Sequence, residues 1–164
     1  MKNRGFSLIE LVIVLIVLSL SISLVTPAFS RFAKTIELKG AVKKVSGILR
    51  YCRSEAVQKG KVHQVLFDAD LREVRVQSVE PAEDKEGGEK REEKAPQKRY
   101  PLPEGIQMRE LKIPSPQYPS DLPAIEFYPN GGSNGGSILL ERQDHKGYRI
   151  KIHFLTGMVQ VEGV

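Results

Sequence analysis

The residues with the clearest chemical potential stand at the very start of the chain. Hydrolysis between Gly5 and Phe6 would free an α-amine at Phe6. Glu10 follows four residues later, one helical turn away, within reach of that amine or of the same amine on a neighbouring chain. A carboxylate in an apolar run is costly, by roughly 2.5–3.5 kcal/mol at the centre of a bilayer and less near its surface. A buried ammonium would neutralise it. The plainer alternative is a glutamate that snorkels to the lipid headgroups.

Other reactive side chains are scattered. A single cysteine, Cys52, excludes an internal disulfide and a multi-cysteine metal site. Its place on an apolar helical face makes it a core residue. His63, His145 and His153 are far apart and lack the local partners of a zinc or nucleophile motif, which gives them structural or surface roles. Asp68 and Asp70 are two carboxylates without the rest of an oxygen-rich calcium loop, and they read as a hairpin turn. The stretch Pro129-Asn130-Gly131-Gly132-Ser133-Asn134-Gly135-Gly136 lacks a Gly-Lys-Ser/Thr ending and leads into a strand. It reads as a flexible hairpin loop, not a phosphate cradle. No catalytic residue, metal site or cofactor is expected.

These groups need elements to place them. In the 20-residue run Phe6 to Val25, 15 residues are apolar, and as a helix the run would be about 30 Å long, the thickness of a bilayer core. It is too long for an ordinary secretory signal, and its leader is only Met1-Lys2-Asn3-Arg4-Gly5. Pro27 removes one backbone donor and predicts a bend where the helix leaves the membrane. Beyond it, Phe29, Phe32, Ala33, Ile36, Ala41, Val45, Ile48, Leu49, Cys52 and Ala56 mark one face of a helix that runs to about Lys59, with Gly60 as its stop. Gly40 and Gly47 interrupt the helix pattern as sites for close packing. Lys2 and Arg4 precede the run, but Arg31, Lys34, Lys39, Lys43 and Lys44 follow it. A count of basic residues therefore does not set the orientation.

The rest of the chain predicts strands. Val62–Phe67 and Arg72–Val79 form a hairpin, followed by single strands at Gly105–Lys112, Ala124–Tyr128, Ser137–Glu141, Tyr148–Leu155 and Met158–Val161. Residues 80–99 hold 13 charged side chains in 20 and none apolar beyond alanine. They predict a solvated, flexible loop. Pro114–Pro119 predicts an extended surface connection.

The stretch Lys2-Asn3-Arg4-Gly5-Phe6-Ser7-Leu8-Ile9-Glu10-Leu11 resembles the class III signal of type IV pilins and type II secretion pseudopilins. Leu49 to Val57 with Val62–Asp68, then Phe127 to Ser133 with Gly136-Ser137-Ile138 and Thr156-Gly157-Met158-Val159, is similar to the GspH/FimT group of minor pilins. Met158 departs from that pattern, where an arginine is frequent. The resemblance implies an α+β, pilin-like fold with a long N-terminal helix packed on antiparallel sheets. Residues 1–5 would be the leader, 6–27 the transmembrane and filament-core helix, 28–60 the amphipathic helix, and 61–164 a β-rich periplasmic head with its flexible loop at 80–99. It also implies cleavage after Gly5 by a prepilin peptidase, N-methylation of Phe6, a subunit-assembly role for Glu10 and a helix kink at Pro27.

Expected partners are other minor and major pseudopilins, an inner-membrane assembly platform and membrane lipid. The implied role is that of a structural subunit near the tip of a type II secretion pseudopilus, single-pass in the bacterial inner membrane before assembly. The alternative is a type IV pilus minor pilin that acts in pilus initiation or DNA uptake. Charge bears on the choice. The whole chain carries +5, but residues 26–61 hold 9 basic and 2 acidic residues, whereas residues 62–164 hold 14 basic and 17 acidic. A basic stem with a slightly acidic head argues against a nucleic-acid partner.

Overall fold

A computed structural model describes residues 7–79, 97–143 and 146–164, with the backbone alone described for residues 23–34. Helix α1 spans Leu8–Lys59 in 52 residues and is continuous across Pro27. Ser7 starts it, and Gly60, at φ +64°, ends it in the left-handed conformation that glycine adopts without strain. Chain contacts separate two units, Met1–Glu37 and Leu38–Val164.

In the first unit, every large apolar side chain described between Leu8 and Ile22 is exposed. The two hydroxyls Ser19 and Ser21 donate back to the carbonyls of Leu15 and Val17, each at 2.8 Å. This bonding leaves the surface of the run with few unmet polar groups, which is what an apolar environment requires of a helix.

In the second unit, Leu38, Ala41, Val42, Val45, Leu49, Cys52 and Ala56 form one buried stripe. Apart from the adjacent pair Ala41 and Val42 they recur every three or four residues, which aims them at one core cluster, shared with the inner faces of two four-stranded antiparallel sheets. One sheet has the order β3-β2-β1-β5 and the other β4-β6-β7-β8. The strands are β1 Val62–Asp68, β2 Glu73–Val79, β3 Lys98–Pro101, β4 Ile106–Lys112, β5 Ala124–Phe127, β6 Gly136–Arg142, β7 Gly147–Ile152 and β8 Val159–Gly163. The helix face differs from expectation in detail. Ile36 is exposed, Leu38 and Val42 join the core, and nothing lies within 4 Å of a Cβ built on Gly40 or Gly47, so neither serves close packing within the chain.

The β1–β2 hairpin forms as predicted, with Asp68 paired to Glu73. Asp68 accepts the Leu71 amide at 2.9 Å and pairs with Arg75 at 2.7 Å, so its carboxylate is used in closing the turn. Three other expectations change. The charged loop ends earlier than residue 99, because Lys98 and Arg99 belong to β3, and residues 80–96 lie outside the described residues. β3 escapes pattern reading because only Tyr100 packs on the core. Its Lys, Arg and Pro are residue types that suit the edge of a sheet. The strand expected at Tyr148–Leu155 stops at Ile152, where the chain turns.

The third change concerns the glycine-rich stretch. It turns back on β5, where Phe127 and Ser133 form an antiparallel bridge, but it does not join two paired strands, since β5 and β6 lie in different sheets. Gly131, Gly132, Ser133 and Gly135 are buried. The Asn134 side chain accepts the Glu126 amide and donates to the Ala124 carbonyl, both at 2.9 Å, so a side chain here substitutes for a neighbouring strand. The stretch is a tied-down crossover between the sheets.

Candidate functional site

Gly5 and Phe6 lie outside the described residues. Ser7 and Glu10 are described, and they make half of a capping box. The Glu10 amide donates to Ser7 Oγ at 3.3 Å and to the Ser7 carbonyl at 3.1 Å. The Ser-x-x-Glu spacing carried this signal, and the sequence reading used only its glutamate. A carboxylate in the first turn also lies favourably at the positive end of the helix dipole. Glu10 is exposed, and among the described residues nothing pairs with its carboxylate. This acid thus stands, among the described residues, without a partner on a helix surface that is apolar apart from serines.

Among the described residues no helix is long and apolar enough to cross a membrane. The described side chains of the apolar run stop at Ile22, and Leu8–Ile22 is about 22 Å of helix at 1.5 Å per residue. In the sequence the run continues to Val25. Pro27 lies within α1, where only the backbone is described.

The second unit holds two structural knots that explain its motifs. Arg53 donates from Nε to the Gly131 carbonyl at 3.2 Å. Gly157, at φ +59°, sits so close that a Cβ there would stand 2.7 Å from the same carbonyl and 3.0 Å from Arg53. The helix end, the crossover and the β7–β8 turn therefore meet at one oxygen atom. The other knot is the buried carboxylate of Glu126. It accepts the amides of Gln117 and Tyr118 at 2.8 and 2.9 Å, Gln64 Nε2 at 3.0 Å and the Tyr128 hydroxyl at 3.0 Å. Burial and this hydrogen bond push the Tyr128 phenol up to about 12. A ladder continues across the sheet from Gln64 to Gln77 and Gln97, at 2.7 and 2.8 Å. Pattern reading missed Glu126, because its donors include backbone amides that no residue type announces.

Cys52 is fully buried, and burial raises its thiol to about 12. Asp68 is taken up in its turn, His63 is buried against the helix side of β1, and His153 stacks on Phe154. His145 lies outside the described residues. Among the described residues no cluster of three His, Cys, Asp or Glu side chains could hold a metal ion.

Residues 1–26 match the family of the prokaryotic N-terminal methylation motif. The type II secretion system protein H of Xanthomonas campestris pv. campestris is 27% identical over 157 residues, covering 96% of this chain and 82% of that protein. The minor pseudopilin EpsH from the type II secretion system of Vibrio cholerae superposes with a TM-score of 0.55 at 18% identity, over 77% of this chain and 97% of that one. This chain has a GspH-like pilin fold. The type IV minor pilin FimU of Pseudomonas aeruginosa shares that fold at a TM-score of 0.52 and 17% identity, over 80% of this chain and 92% of that one. The pilin-like fold accounts for the expected α+β architecture, with a long N-terminal helix and antiparallel sheets packed on its second half.

Proposed function

We propose that the chain is a minor pseudopilin of a type II secretion system, a structural subunit without enzymatic activity near the tip of a short pseudopilus that assists export of folded proteins. The observation that carries this reading is the breadth of the match to a type II secretion protein H. It runs over 157 residues, 96% of the chain, and so takes in most of the head, whereas the methylation motif alone stops at residue 26.

In this reading residues 1–5 are a leader, removed after Gly5 by a prepilin peptidase that also methylates the new α-amine of Phe6. Residues 6–27 hold the subunit in the inner membrane by a single span, and residues 28–60 and 61–164 form the periplasmic helix and head. On assembly the apolar surface of Leu8–Ile22 exchanges lipid for neighbouring helices. Glu10 then pairs with the α-amine of an adjacent subunit, which removes an unpaired charge from an apolar core. Pro27 adjusts the helix direction where it leaves the membrane. The partners are other minor and major pseudopilins, the peptidase and the inner-membrane assembly platform.

The likeness to FimU favours one second reading, a type IV pilus minor pilin that initiates pili or aids DNA uptake. Deletion of the gene separates the two. Loss of exoprotein export with pili and transformation intact supports the secretion role, and the reverse supports the pilus role. For the site, Glu10→Leu should leave membrane insertion intact and deplete the subunit from sheared filaments. Undiminished recovery in filaments would remove the role given to Glu10. Gly5→Leu should leave the leader attached, and mature N-methyl-Phe6 found by mass spectrometry would refute the cleavage site.

A further inference from the structure

Lys39, Lys43, Ser46 and Arg50 follow one another at four, three and four residues along α1, so they share one helix face. They line a cavity of about 350 Å³. The opposing wall is Tyr148 of β7 and Val161 of β8, with Val42 beside them on the helix. Three cations therefore meet in a hollow with apolar walls and, among the described residues, no carboxylate in its lining. Among the described residues neither Lys39 nor Lys43 has an acidic partner, and Arg50 spends one guanidinium nitrogen on the Val159 carbonyl at 3.3 Å.

Ser46 gives an independent sign that the hollow is meant to be filled. It is only 3% exposed, and among the described residues its Oγ has no hydrogen-bond partner. Ser19 and Ser21 of the same helix both donate to the carbonyl four residues back, the usual refuge of a helical hydroxyl. Ser46 does not take it, and buried polar groups rarely go unpaired. A donor that is held unused beside three cations suits an oxyanion.

We propose that this pocket receives a carboxylate side chain from an extended acidic segment of a neighbouring pilin-like subunit, which docks alongside β8. The apolar walls fit the short aliphatic stem of a glutamate or aspartate. The neighbouring strand favours a peptide as the source of the anion. Among the described residues β8 is an edge strand with no further strand beside it and residues Gln160–Gly163 exposed, and Arg50 takes one carbonyl at its start. A peptide can pair with such an edge, whereas a lipid headgroup has no backbone amides to offer it. The charge of the stem, 9 basic against 2 acidic residues over 26–61, steers an acidic partner to this face. The proposal rests on the assignment of the chain as a filament subunit.

The test replaces exposed Gln160 with a photoreactive benzophenone residue in the full chain, in cells that assemble the filament. Cross-linked products are mapped by mass spectrometry, and the subunit content of sheared filaments is measured in parallel. The expected adduct lies within three residues of an Asp or Glu in another pilin-like subunit. Its yield should fall at least fivefold in Lys39→Gln/Lys43→Gln and about twofold in Ser46→Ala. Both lysines are exposed, so an unchanged melting temperature keeps the double variant interpretable. Exchanging charges, with Lys43→Glu set against Lys at the mapped acid, should restore the adduct.

Phospholipid adducts, adducts far from any acid, or a yield indifferent to the double variant would overturn the pocket while the subunit remained in filaments. Absence of the chain from filaments would overturn the pocket and the filament assignment together.

Discussion

Arg53 and Gly131 are 78 positions apart in sequence and joined by a 3.2 Å hydrogen bond from the guanidinium Nε to the backbone carbonyl. The bond fastens the last turns of α1 to the crossover that carries the chain from one sheet to the other. Gly157 presses on the same oxygen from the β7–β8 turn. Three segments thus depend on one small volume.

Arg53→Ala removes a charge-assisted bond and should cost about 1.5–3 kcal/mol. Gly157→Ala should cost about 2–4 kcal/mol. It places a side chain at φ +59° and a Cβ 2.7 Å from the Gly131 carbonyl, a backbone atom with little room to move. Denaturant unfolding of the full chain in mild detergent measures both. The double variant should lose less than the two changes summed, because they act on one contact. Losses below about 0.5 kcal/mol for both would show that the junction is not a fastening.

Glu126→Gln keeps the shape of the side chain but replaces one acceptor oxygen with an NH₂ that must face donors. At least one of Gln117, Tyr118, Gln64 or Tyr128 is left unpaired, at a cost of about 2–3 kcal/mol. The phenol offers a second readout. Tyr128 should ionise near pH 12 in the native protein, observed as late-appearing tyrosinate absorbance, because burial and then Glu126 oppose its charge. In Glu126→Gln it should ionise earlier, since the neighbouring negative charge is gone. An unmoved titration would exclude Glu126 as a cause.

How far the sequence was legible follows from the range of the forces involved. The stop of α1 was readable because Gly60 acts on its immediate neighbours, whereas the Ser7 cap at its start, equally local, went unread. The β1–β2 hairpin was readable because Asp68 closes its own turn. The division into two sheets was not, since Gly131 and Asn134 look like loop residues until the atoms that they bond are known. β3 was hidden for a different reason. Its four residues place one ring on the core, too few to show an alternation. At the candidate site the leader and Glu10 form a local signal. The Ser46 pocket depends on Tyr148 and Val161, about 100 positions away, and no spacing within the helix reveals it.

Cys52 should behave as an inert core atom. Its thiol is fully buried, and burial, helped by the Glu55 charge, raises it to about 12. Thiolate is the reactive form, so a disulfide reagent at pH 8 should label the native chain hundreds of times more slowly than the denatured one. Cys52→Ser should destabilise by about 1–3 kcal/mol through an unpaired buried hydroxyl, while Cys52→Ala costs less. Fast labelling of the folded protein would contradict the burial.

His63 makes stability depend on pH in a defined direction. Its ring lies buried in β1, and among the described residues Nε2 has no partner. Burial lowers its pKa below the usual 6.5; Glu55 opposes the shift, and Lys59 and Lys61 add to it. Below 6.5 the unfolded chain binds a proton that the folded chain resists, so folding loses stability as pH falls through 6.5 towards the lowered value. Above 6.5 the contribution is fully present. Glu110 acts in a lower window. Hydrogen bonds from Lys112 and Arg149 depress its carboxyl below 4.5, and its contribution disappears only as pH falls through that depressed value. Thermal melting between pH 8 and 5 should therefore show a decline that His63→Gln reduces and Glu110→Gln does not. If His63→Gln leaves the slope unchanged, another group carries the proton.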